Sequence, residues 1–106
     1  MKNIFLSIIF LVTLFIPVSA NATVTAGYEQ KVNWIATYPI VSIDNNPTAQ
    51  DVINQDLNRY LEQLRSDFQN GRYYICKEWY KVRYEDANLL SISIYQIRLP
   101  YLGNGN

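Results

Sequence analysis

Only one stretch of this chain carries a helical period, and that limits the folds open to it. In TAQDVINQDLNRYLEQLRSDFQNG, residues 48–71, the apolar side chains Ile53, Leu57, Tyr60, Leu61, Leu64 and Phe68 recur three or four apart. That spacing lines up one apolar stripe along an amphipathic helix. Thr48 is placed to cap it, with Asp51 three residues on in the manner of a capping box. Asn70-Gly71 supplies the stop, because glycine accepts the left-handed conformation that follows a helix end. Arg59, Glu62, Arg65 and Asp67 fall mostly off the stripe and read as a solvated face.

The flanks read as strands. KVNWIATYPIVSI, residues 31–43, is rich in β-branched and aromatic residues. Pro39 cannot donate to a ladder, so this segment is expected at an edge, or bulged or broken at the proline. RYYICKEWYKVRYE (72–85) and NLLSISIYQIRLPYL (88–102) read as an antiparallel hairpin joined across EDAN. Leu90, Ile92 and Ile94 alternate and should face the helix, after which the apolar phase slips to Ile97 and Leu99. A bulge near Tyr95-Gln96 would account for the slip. The expected fold is α+β, one helix on one face of a small antiparallel sheet in the order strand-helix-strand-strand.

The N-terminus reads differently. A cationic MKN, an apolar run from Ile4 to Ile16, Pro17 and then Ala20-Asn21-Ala22 match a secretory signal peptide cut after Ala22. An uncleaved anchor is the alternative, although the run falls short of the roughly 20 residues of a spanning helix. The expected organisation is a leader (1–22), a polar lead-in TVTAGYEQ (23–30) and a domain (31–106), with no membrane span once the leader is gone. Of 106 residues, 84 then remain, with eight basic and nine acidic side chains after Lys2 is lost. That balance gives no footprint for nucleic acid.

The single cysteine, Cys76, allows no internal disulfide; it reads as a small buried hydrophobe, with a bridge to a second chain as the alternative. With no histidine and one cysteine, the chain offers no base for a nucleophile, no zinc set and no expected cofactor. Glu78, Glu85 and Asp86 lie on or beside the hairpin; the adjacent Glu85 and Asp86 read as ordinary solvated turn residues, not a glycosidase pair, so an enzyme is not expected. Nine tyrosines and two tryptophans make the strands aromatic. Aromatics on a sheet serve either cross-strand packing or a platform that stacks sugars or peptides. Trp79 and Tyr95 are the exposed candidates for such a platform.

YPIVSIDNNPTAQDVINQDLNRYLEQLRSDF, followed by YKVRYEDANLLSISIYQIRLPYLGNGN, resembles the PdaC-like domain of unknown function. The resemblance is carried by Tyr38-Pro39, by Ile53-Asn54 and by Asn88-Leu89-Leu90-Ser91-Ile92, and spans about residues 31–104. Such domains precede the catalytic part of a peptidoglycan deacetylase and occur in lysozyme-sensing anti-sigma factors and other exported bacterial proteins. The family usually continues through a Gly-Gly-Ala-His-Gly-like turn into a second α+β domain, whereas this sequence reads Gly103-Asn104-Gly105-Asn106. The resemblance implies half of a two-domain unit, with a second domain or a second chain pairing with the last strand. No deacetylase residue falls in the matched region. The expectation is an exported, non-catalytic cell-envelope domain that binds peptidoglycan or a lysozyme-like protein; the alternative is a truncated front half with no activity of its own.

Overall fold

A computed structural model describes residues 8–18, 21–85 and 88–101. The first seven residues, Ala20, Asp86 and the Gly103–Asn106 end lie outside the described residues. The elements run β1 (Ile8–Pro17), β2 (Ala22–Lys31), β3 (Trp34–Ile43), α1 (Pro47–Gln69), β4 (Tyr73–Glu85) and β5 (Leu89–Pro100). They form one five-stranded sheet in the order β1-β5-β4-β3-β2.

The α+β class holds, but the strand-helix-strand-strand order and the all-antiparallel sheet do not. Two further strands precede the helix, and β3 and β4 pair in parallel. The parallel pair follows from connectivity: α1 lies between them, and a helical crossover returns the chain in the same direction. Residues 23–30, read as a polar lead-in, lie within edge strand β2, which pairs with β3 through Ala22↔Ile43 to Lys31↔Trp34. β2 was not recognised because an edge strand needs few large apolar residues. The apolar run 8–17 forms the opposite edge, pairing with β5 through Ile8↔Arg98 to Pro17↔Leu89.

The helix forms where its stripe predicts, with Leu57, Leu61 and Leu64 buried. Its cap is Asn46, two residues before Thr48: the Asn46 side chain accepts from the Ala49 N–H at 3.1 Å. Pro47 occupies the first turn, where its missing N–H costs nothing. Asn70 closes the helix and Gly71 follows at φ 77°, as the left-handed stop requires.

Leu90, Ile92 and Ile94 of β5 are fully buried towards the helix side, with Leu57, Val41 and Ile43. A second cluster joins Trp34, Ala36, Leu61, Leu64 and Cys76. The expected bulge at Tyr95-Gln96 is absent. The register runs unbroken there, and the β4–β5 irregularities fall at Tyr73/Ile75 and Val82/Tyr84 instead. The alternation simply continues through polar residues, so Gln96 and Arg98 are the buried ones and Ile97 and Leu99 face the other way.

Pro39 neither breaks nor bulges its strand. β3 pairs with β4 only from Trp34 to Ala36, and beyond that the edge of β3 facing away from β2 is met by helix side chains. Asn54 accepts from the Val41 N–H and donates to the Val41 carbonyl, both at 2.8 Å. Gln50 accepts from the Ile43 N–H at 2.9 Å. Pro39 lies two residues before Val41, so its nitrogen turns to this same strandless edge and the β2–β3 ladder loses no donor. Asn54→Ala should strip both partners from a buried peptide group. The expected loss is about 1–3 kcal/mol in urea unfolding; unchanged stability would show that the amide does not stand in for a strand.

Candidate ligand-binding face

Helix α1 covers one face of the sheet, and no described element covers the other. The uncovered face is built by alternation. On β4, Cys76 and Glu78 point to the helix, so Lys77, Trp79 and Lys81 point away from it. On β5, Tyr95 stands opposite Trp79, and on β1, Leu11 stands opposite Tyr95. The Trp79 and Tyr95 rings stack with centroids 5.4 Å apart and planes 5° from parallel. Trp79 is 39% exposed and Tyr95 half-buried. The structure therefore brings both sequence candidates together on one face as a single aromatic pair.

Cations border the pair. Lys77 stands opposite Ile97 and Lys81 opposite Ser93, one on each side of Trp79. Arg83, within the Val82/Tyr84 irregularity, reaches the Tyr95 hydroxyl at 3.4 Å. Around them the face is apolar: Ile9 is 69% exposed, Leu11 56% and Phe15 70%. Flat rings present C–H-binding faces to a sugar, while Lys77, Lys81 and Arg83 offer charge to a carboxylate or phosphate. A separate cleft of about 350 Å3 opens beside β3, bordered by Tyr38, Ile40, Asn54 and Asn58. Its best-placed amide, Asn54, is already committed to Val41.

No family model matches the chain, and no curated protein or solved structure matches it.

Beneath the helix lies a polar network that the sequence reading missed. Glu78, which the sequence places only on the hairpin, is 2% exposed. Gln96 Nε2 donates to Glu78 Oε1 at 2.6 Å and to the Tyr60 carbonyl at 2.9 Å. Arg98 donates to Gln96 Oε1 and, through Nε, to Asp67 at 2.8 Å. Glu78 Oε2 has no hydrogen-bond partner among the described residues. Burial pushes the Glu78 carboxyl up to about 7, against the lowering effects of Gln96 and Arg98. The strict period-2 placement of Cys76, Glu78 and Tyr80 was the one signal that could have shown it.

The helix face is also less solvated than its charges suggest. Arg59 stays exposed beside Asp56. Arg65 instead grips Glu29 of β2 with two bonds of 2.9 Å and lies over the Trp34 ring at 5.2 Å. The Arg65 hydrogen bond holds the Glu29 carboxyl below its usual range. Cys76 is fully buried, as a small hydrophobe would be, and burial raises its thiol to about 11.

The network predicts a pH dependence. Glu78 titrates near 4.5 when exposed in the unfolded chain and about 7 when folded. Between those values the native state holds the extra proton, so stability falls as pH rises through the interval. Glu29 acts in the opposite sense, so the diagnostic quantity is the difference between the wild type and Glu78→Gln. That substitution should leave stability near pH 4.5 almost unchanged and raise it above pH 7 by on the order of 1–3 kcal/mol in urea unfolding. Parallel pH profiles for the two proteins would contradict a buried neutral carboxyl.

Proposed function

We propose that this is an exported, non-catalytic cell-envelope domain that binds wall glycan on the uncovered face of its sheet. The observation that carries the reading is the stacked Trp79–Tyr95 pair, exposed between Lys77 and Lys81. The rings suit the C–H face of a sugar, and the cations suit the carboxylates of a wall polymer. The leader-like N-terminus and the resemblance to PdaC-like domains support the same assignment. A lysozyme-like protein is the other ligand class the resemblance suggests.

A second reading has its own observation. Among the described residues, the outer edge of β5 is covered by β1 alone, and the residues of β1 also read as a leader. A chain without them would be a front half with an open strand, inactive alone and aggregation-prone.

Sedimentation with insoluble peptidoglycan, and calorimetric titration with soluble chitin-type oligosaccharides, separate these readings. Binding is expected for the wild type, and Trp79→Ala should weaken it by about tenfold or more with a thermal midpoint within a few degrees of wild type. Wild-type binding to lysozyme alone would replace the glycan with a protein ligand, and a wild type that binds neither would remove the proposal.

A further inference from the structure

Residues 8–17 serve two purposes that exclude each other. As β1 they cover β5, with Val12, Leu14 and Ile16 half-buried on the helix side beside Leu90, Ile92 and Ile94, and Phe10 against the Tyr60 ring. As the apolar run of a leader they would be removed. The expected cut after Ala22 falls at the first residue of β2, so it takes away β1 and leaves the other four strands. It would bare the outer backbone groups of β5 and uncover Leu90, Ile92 and Ile94, all fully buried beside β1.

The best replacement for β1 is β5 itself. Residues 11–16 read LVTLFI and residues 89–94 read LLSISI, apolar at the same alternate positions and hydroxylated at the third. Consider two copies of β5 pairing antiparallel about a two-fold axis through Ile92. Opposite Leu90 comes Ile94 of the second copy, where Ile16 now stands. Opposite Ile92 comes Ile92 of the second copy, in place of Leu14, and opposite Ile94 comes Leu90 of the second copy, in place of Val12. Gln96 and Arg98 lie beyond this stretch and keep their own partners, Glu78, the Tyr60 carbonyl and Asp67.

An orphaned hydroxyl points the same way. Ser93 Oγ shares a 2.9 Å hydrogen bond with Thr13 Oγ1 across the β1–β5 pair. Ser91 Oγ is buried opposite Phe15 and has no hydrogen-bond partner among the described residues. In the two-fold pairing Ser91 faces Ser93 of the second copy, and by symmetry the serine pair forms twice. The buried hydroxyl that β1 leaves unsatisfied would gain a partner.

We propose that, once residues 1–22 are removed, two mature chains close their β5 edges against each other, pairing residues 89–95 antiparallel about Ile92 into one continuous sheet. Such an isologous contact is self-limiting, because each copy uses its one bared edge to cover the other. The proposal rests on the export and leader removal put forward above.

The test is to express the full gene in a secreting host, identify the N-terminus of the exported protein, and measure its mass by light scattering. A chain starting near Thr23 should run at twice its monomer mass, whereas the full chain made without export should be monomeric, its edge filled by β1. Exported Ser91→Cys and Ser93→Cys variants, mixed, exchanged and oxidised, should give a disulfide-linked dimer that neither gives alone. The buried Cys76 thiol stays out of this chemistry. A cut chain that is monomeric, aggregates, or dimerises without the 91–93 link overturns the pairing and leaves export standing. An exported chain that keeps residues 8–17 overturns both.

Discussion

A single helix of 23 residues has to provide the cover for a sheet of five strands. A helix is about 10 Å wide and neighbouring strands lie about 4.8 Å apart, so one helix shields little more than two strands directly. It lies over β3 and β4, and the rest of the architecture adjusts to that shortage. β1 meets the core through one side of its alternation, Val12, Leu14 and Ile16, with Phe10 against the Tyr60 ring, and β2 adds only the smaller Ala22 and Val24 at the other edge. The opposite face of the sheet receives no cover from any described element. Its aromatic and apolar side chains are a consequence of that geometry as much as a candidate site.

Where helix and sheet meet imperfectly, polar groups fill the gap. Beside the Trp34 cluster, β5 contributes Gln96 and Arg98 in place of two more aliphatic residues, and Glu78 meets them from β4. A buried amide such as Gln96 joins three elements at once: the helix through the Tyr60 carbonyl, β4 through Glu78, and its own strand through Arg98. Directional bonds of this kind set the angle of the helix on the sheet more narrowly than packing of leucines does.

The parts legible in the sequence were those with an unambiguous period. The stripe from Ile53 to Phe68 and the stop at Gly71 show a helix because no other structure uses that spacing. The β4–β5 hairpin shows itself by β-branched and aromatic content. β1 was illegible as a strand because a nearly continuous apolar run hides period-2 alternation, and the cationic start before it matches a leader equally well. β2 was illegible because Val24 is the one larger apolar residue among its partly buried positions, the others being Ala22, Gly27 and Glu29. On β5 the difficulty is chemical: Ile97 and Leu99 suggest a slip because apolar residues ordinarily mark the core, while the core side here holds a glutamine and an arginine. Of the candidate site, the identities of Trp79 and Tyr95 could be read, but not their stacking across strands, which depends on a register set by the whole hairpin.

The Asn54 and Gln50 contacts to β3 bear on how the molecule opens. In most sheets a strand's amides are protected from solvent by another strand, and they exchange when the sheet comes apart. The Val41 and Ile43 amides are held by a helix, so their exposure is governed by the lifting of α1 from its neighbours. From Pro39 to Ile43, β3 thus answers to β2 along one edge and to the helix along the other, so neighbouring amides of a single strand are released by the opening of different elements.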